Sequence, residues 1–264
     1  MNRRNFVTLL GGAAATWPIA ARAQQRDRVR RIGVLMPLDE SDPLAKTFVS
    51  ALTQTLADLG WIDGRNMRMD LRWHGVEADR IRALAQELVG LQPDIIVTNG
   101  VTATTAVQRE TLTIPIVFAN AGDPITSGIV SRLNQPGGNI TGFANLEASL
   151  VGKWLELLSE IAPGLKRAAI MFHPDTAPAS AYVPSFETAA RSLKVAPIPA
   201  PVHDDVQIET AIIALGREPG SGLVVIPDLF MFVHRAPIIA AAARNNVPAV
   251  YNLSYWARDG GLLS

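Results

Sequence analysis

Short apolar runs separated by helical patterns constrain this chain more than any other feature. Residues 32–36, Ile-Gly-Val-Leu-Met, form the first run, which Pro37 ends. From about Pro43 the apolar spacing widens, so that Leu44, Phe48, Leu52, Leu56 and Leu59 share one helical face and Gly60 supplies the stop. Residues 67–73 alternate and read as a second strand. Ile81, Leu84, Leu88 and Leu91 carry the next helix, and residues 94–98 read as the third strand. A short helix from Thr102 leads to a fourth strand at residues 114–118. The turn at 135–139 precedes residues 140–142, and an amphipathic helix is expected over Leu146, Leu150, Trp154, Leu157, Leu158 and Ile161, ending at Gly164. Apolar runs too short for helices, alternating with amphipathic ones, specify an α/β fold with a parallel sheet covered on both faces.

The pattern then restarts. Residues 166–175 parallel residues 30–37, residues 222–227 echo 94–99, and residues 247–251 echo 114–118, each displaced by roughly 130 positions. Three pairs in step predict two lobes of one topology, although any two α/β halves share some of this likeness. The expected division is an export signal at 1–23, an N-terminal lobe at 24–145 and a C-terminal lobe at 146–264. The last lobe is expected to be incomplete, because residues 260–264 read as the opening of a strand with no helix after it.

The leader reading rests on Arg3 and Arg4 ahead of Phe6, a Gly/Ala-rich middle and a small-residue end at Ala21 and Ala23. Paired arginines before a weakly apolar stretch look more like a twin-arginine signal than a general secretory one, and both place the mature chain in the periplasm. Lys plus Arg equal Asp plus Glu at 24 each, so no global field draws the chain to nucleic acid. Cysteine is absent, which excludes thiolate metal sites and a Cys nucleophile, and no cofactor or metal is expected.

Signatures of catalysis are missing. No phosphate-binding loop, dinucleotide fingerprint, nucleophile elbow or zinc-protease motif occurs. What remains is a set of small and polar residues just after strands, where open parallel sheets bind ligands. Met36 and Pro37 end the first strand. Asn99, Gly100, Val101 and Thr102 follow the third and open a helix whose free N–H groups suit a carboxylate. Asn120, Gly122 and Asp123 follow the fourth, and Asp123 is either a ligand for an ammonium group or a cap. In the second half His173 and Asp175, Asp228 and Phe230, and Tyr251 stand at the equivalent strand ends.

The leader, the block from residue 114 through Gly122, Asp123 and Pro124 to residues 136–142, Val247-Pro248-Ala249 and Gly260-Gly261-Leu262 resemble the solute-binding proteins of ABC importers related to tryptophan/tyrosine-binding periplasmic receptors. That resemblance implies a type I periplasmic-binding-protein fold, two Rossmann-like lobes with parallel sheets joined by a hinge. It also implies a non-catalytic monomer that traps a small solute, an amino acid or related carboxylate, between its lobes and delivers it to an inner-membrane permease. It further implies elements beyond Ser264. Where the family commonly has Gly-Gly, a hydroxyl residue and Pro after the third strand, this chain has Asn99-Gly100-Val101-Thr102, so the carboxylate contact is expected to differ. An exported α/β enzyme using Asp123, Asp175 or Asp228, and a sensor domain of the same fold, remain the alternatives.

Overall fold

The computed structural model describes residues 28–175 and 179–264; the expected leader lies outside them. Two parallel sheets carry the fold. The first has strands β1 (Arg30–Met36), β2 (Met67–Trp73), β3 (Ile95–Asn99), β4 (Ile116–Gly122) and β5 (Ile140–Leu146) in the order β2-β1-β3-β4-β5. The second has β6 (Arg167–Phe172), β7 (Ala196–Pro201), β8 (Ser221–Val225) and β9 (Ala249–Val250) in the order β7-β6-β8-β9. Matching β1 to β6, β2 to β7, β3 to β8 and β4 to β9 superimposes one order on the other, which is the topological content of the sequence repeat.

Helices cover both faces of each sheet, and the two-residue period of the strands decides which side chain goes where. In the first lobe, Ile32, Val34 and Met36 point toward α1 (Pro43–Asp58), where Phe48, Val49, Leu52 and Leu56 close over them. Leu35 points the other way, with Ile96, Ile116 and Phe118, into the core beneath α2 (Ala78–Gly90) and α3 (Val101–Glu110). In the second lobe, Ala168, Ile170 and Phe172 face α4 (Leu150–Ile161) and α5 (Ala179–Leu193). Ala169 and Met171 face α6 (Asp205–Gly216) and α8 (Arg235–Arg244), and the same core takes in residues of α7 (Leu229–Val233) and α9 (Ser254–Arg258). Burial on both faces is why these strands read as unbroken apolar runs.

Three expectations need correction. Leu146 ends β5 and the helix starts only at Leu150, so Leu146 belongs to a strand and not to the helix. The fourth strand runs from Ile116 to Gly122, because it continues through a bulge near Phe118 and Ala121 that the sequence reads as a loop. Residues 260–263 contribute one isolated bridge, Val250 to Leu263, instead of a strand. β7, Ala-Pro-Ile-Pro-Ala-Pro, is a strand without counterpart in the sequence reading, and its alternating prolines would ordinarily argue against one. The edge position resolves this: Ala196 N–H bonds the Lys166 carbonyl and Val202 N–H bonds the Phe172 carbonyl, so the even-numbered residues face β6 and Pro197, Pro199 and Pro201 face outward.

The lobes touch. Leu38 and Ala45 of the first lobe bury against Phe232 of the second, with Leu44, Trp73, Leu229 and Tyr255 packed around them. Gly122 permits a further approach, since a Cβ there would lie 3.2 Å from the Tyr182 hydroxyl on α5. Among the described residues no helix is long and apolar enough to cross a membrane.

Candidate ligand-binding cleft

A cavity of about 300 Å3 opens where the carboxyl ends of the strands of both sheets converge. The first lobe lines it with Pro37 and Leu38 after β1, Leu44 and Phe48 on α1, His74 after β2, Asn99 to Thr102 after β3, Asn120 and Gly122 on β4 and Asn145 on β5. The second lobe adds Pro227, Asp228, Leu229, Phe232, Leu253 and Tyr255.

Backbone conformation shapes this wall. Leu38, Gly100 and Asn120 all have left-handed φ, at 73°, 87° and 56°. For Leu38 that conformation costs about 1–2 kcal/mol, and it is held by the lobe contact and by its carbonyl, which accepts the Gly75 N–H at 3.3 Å. Asn120 sits in the β4 bulge, which turns its amide toward its neighbours. Asn145 donates to Asn120, and Asn120 Nδ2 donates to Asn99 Oδ1 at 3.3 Å. The ends of β5, β4 and β3 are thus joined by a row of neutral amides, each both donor and acceptor.

Gly100 opens α3 without any side-chain cap, so the first N–H groups of that helix lack the partner an N-cap residue supplies. Thr104 Oγ1 donates to the Gly100 carbonyl at 2.6 Å and lies 2.8 Å from the buried Thr98 Oγ1, fixing the turn from inside. Across the cavity, Asp228 is the one carboxylate among the lining residues. It caps α7 through the Met231 N–H at 2.9 Å and accepts the His173 N–H at 3.4 Å. His74 is fully buried; its Nδ1 meets the Gly75 carbonyl at 2.7 Å and its Nε2 has no hydrogen-bond partner. Burial pushes its pKa down to about 4, so the ring is neutral at pH 7.

These groups can grip a small polar head and shelter an apolar tail, and nothing here positions a nucleophile beside a base. A sequence profile described as "ABC transporter substrate binding protein" matches residues 31–264. The chain belongs to that family. Membership in a family described as substrate-binding supersedes the enzyme alternative.

Among relatives, this binding protein is 23% identical over 205 residues to the "Tyrosine-binding protein" of Clostridioides difficile (strain R20291), an alignment covering 78% of this chain and 57% of the relative. The chain thus spans little more than half of that protein's length. Its fold matches a conserved domain protein from Vibrio cholerae with a TM-score of 0.80, at 23% identity over 89% of this chain and 78% of that one. It also matches a Streptococcus pneumonia ABC domain solved with L-Trp, with a TM-score of 0.79, at 19% identity over 89% of this chain and 79% of the other.

Of the residues expected from sequence, Pro37, Asn99, Gly100, Val101, Thr102, Asn120, Gly122 and Asp228 line the binding protein's cavity. The others lie outside its wall. Met36 points into the core under α1. Asp123 spends a carboxylate oxygen on the Thr126 N–H at 3.1 Å, capping a turn. His173 and Asp175 sit behind Asp228, where the Asp175 N–H donates to His173 Nδ1 at 3.2 Å. Phe230 is buried in the core, between the rings of His173 and His234. Tyr251 stacks on Trp256 with centroids 4.7 Å apart, and burial raises its hydroxyl pKa.

Sequence reasoning missed His74, Asn145 and most of the apolar wall. His74 and Asn145 both stand at strand ends, the same signal that selected Asn99 and Asn120. Leu44 and Phe48 read as core because they share a helical face with core residues. Leu229, Phe232 and Tyr255 lie on five-residue helices too short to show a period.

Proposed function

We propose that this chain is the solute-binding component of an ABC importer and that its cavity holds a zwitterionic amino acid with an aromatic or branched apolar side chain. The observation that carries this reading is the make-up of the wall: uncapped helix N–H groups and amides from the first lobe, Asp228 from the second, and apolar residues Leu38, Leu44, Phe48, Leu229, Phe232 and Tyr255 from both. The α-carboxylate would sit on the N-terminus of α3, where dipole and N–H groups favour an anion. The ammonium would face Asp228, and the side chain would lie on the apolar patch. A volume of about 300 Å3 suits one small molecule and not an oligomer. The relatives whose descriptions name tyrosine or L-Trp support the same class.

In this reading the lobes divide near residue 146 and close over the solute. The expected ligand residues that lie outside the wall, Asp123 and His173 among them, do not touch the solute in this reading. The twin-arginine leader sends the chain to the periplasm, where it works as a monomer and hands its solute to an inner-membrane permease. Thermal unfolding with L-tryptophan, L-tyrosine, L-leucine, benzoate, L-lysine and maltose tests the proposal. A site-specific ligand at a hundred times its dissociation constant adds about 2.7 kcal/mol of stability. A shift with the aromatic or branched amino acids alone is expected; a shift only with lysine or maltose, or none, overturns it.

A further inference from the structure

Three of the chain's four histidines gather at one place outside the cavity wall, on the carboxyl edge of the second sheet. The cause is register. Phe172 of β6 pairs with Pro201 of β7, so His173 and His203, one and two residues beyond that pair, emerge side by side with ring centroids 5.2 Å apart. The chain turns back after His173 and brings Asp175 to the same point, with its N–H donating to His173 Nδ1. Donor atoms of His173, Asp175 and His203 all lie within 4.8 Å of one another. His234 stacks on Phe230 and is already engaged, its Nδ1 2.5 Å from Asp205 Oδ1.

The geometry points to a binding site for a borderline divalent cation, Zn2+ or a metal of similar preference, held by His173, Asp175 and His203. Two imidazoles and a carboxylate are the donors such ions take, whereas Ca2+ and Mg2+ prefer oxygen throughout. Bonds of about 2.0–2.1 Å place tetrahedral ligand atoms about 3.3 Å apart. The His203 and Asp175 side chains are both exposed and can rotate toward that spacing. Metal on His173 replaces one long hydrogen bond, the 3.2 Å contact from the Asp175 N–H. Three protein ligands leave a coordination position for water or another donor.

Calorimetric titration of the chelator-treated chain with Zn2+, in the absence of any solute, tests the site independently of the transport reading. One saturable site is expected at pH 7.5. His203→Ala and Asp175→Asn, both at exposed positions, should each weaken it at least tenfold, while His234→Ala changes it less than about twofold. No saturable binding, or binding that both donor variants leave intact, overturns the proposal.

Discussion

His74 Nδ1 lies 2.7 Å from the carbonyl oxygen of Gly75, and because a carbonyl can only accept, the ring proton sits on Nδ1. Nε2 is therefore a buried lone pair, on a residue that lines the cavity, with no hydrogen-bond partner among the described residues. A solute N–H or O–H would satisfy it. His74→Asn keeps an N–H for the Gly75 carbonyl and removes the acceptor, and affinity for L-tryptophan should fall about tenfold, or about 1.4 kcal/mol. Calorimetry checks this, and an unchanged dissociation constant would place the donor elsewhere.

The same ring makes stability depend on pH. Its pKa is about 4 when folded and 6.5 unfolded, so between these values the unfolded chain binds a proton that the folded chain lacks. The stabilisation is complete above pH 6.5 and is lost as pH falls through about 4, a total on the order of 3 kcal/mol. Urea unfolding at pH 7.5, 5.5 and 4.5 should show this decline in the native chain and a flatter profile in His74→Asn.

Arg31 and Asp70 produce a second acid-sensitive step at lower pH. Nε of Arg31 donates to Asp70 Oδ2 at 2.5 Å and Nη2 to Oδ1 at 3.2 Å, tying β1 to β2. That pairing holds the nearly buried Asp70 carboxyl below its ordinary range, so its contribution is present above about pH 3.9 and lost as pH falls through the depressed value. Asp70→Asn should cost about 1–3 kcal/mol at pH 7 and progressively less under more acid conditions, as chemical denaturation would reveal.

Phe232 joins the lobes while lining the cavity, with Tyr255 edge-on at 4.9 Å and the Arg235 guanidinium 4.3 Å from its ring centre. Phe232→Ala removes its packing with Leu38 and Ala45 across the lobes together with its ring contacts to Tyr255 and Arg235 within the second lobe. Solute affinity should drop by at least tenfold, and small-angle scattering should report a larger radius of gyration; an unchanged radius would mean that the other contacts suffice to keep the lobes together.

Asp123 offers a prediction of no effect. Its carboxylate accepts the Thr126 N–H and lies outside the cavity wall, and asparagine caps about as well as aspartate. Asp123→Asn should leave solute affinity within about twofold and cost less than about 1 kcal/mol of stability. A loss of thirtyfold or more in calorimetry would return Asp123 to the ligand.

The two-lobe topology was legible because both faces of each sheet are buried, which writes every inner strand as an apolar run. The cavity was legible where a single strand end supplied adjacent polar residues, as at Asn99 to Thr102. It was not legible where the wall depends on distant segments meeting, because Leu38 and Phe232 acquire their role only when the lobes touch. Nor could residue types alone separate Asp228, which lines the cavity, from Asp123, which caps a turn; both are aspartates just after a strand, and the direction of the loop decides between them.

The alternating prolines of β7 reach beyond this molecule. A sheet edge normally presents N–H and C=O groups in register, and another chain can use that row as a template. Here Pro197, Pro199 and Pro201 have removed the outward donors, while Ala196 and Val202 N–H still secure the strand to β6. Two copies meeting along this border find acceptors facing acceptors. The second lobe therefore carries its own barrier to polymerisation, obtained by deleting hydrogens instead of adding charge, and it can stay unpaired at that edge however crowded its surroundings become.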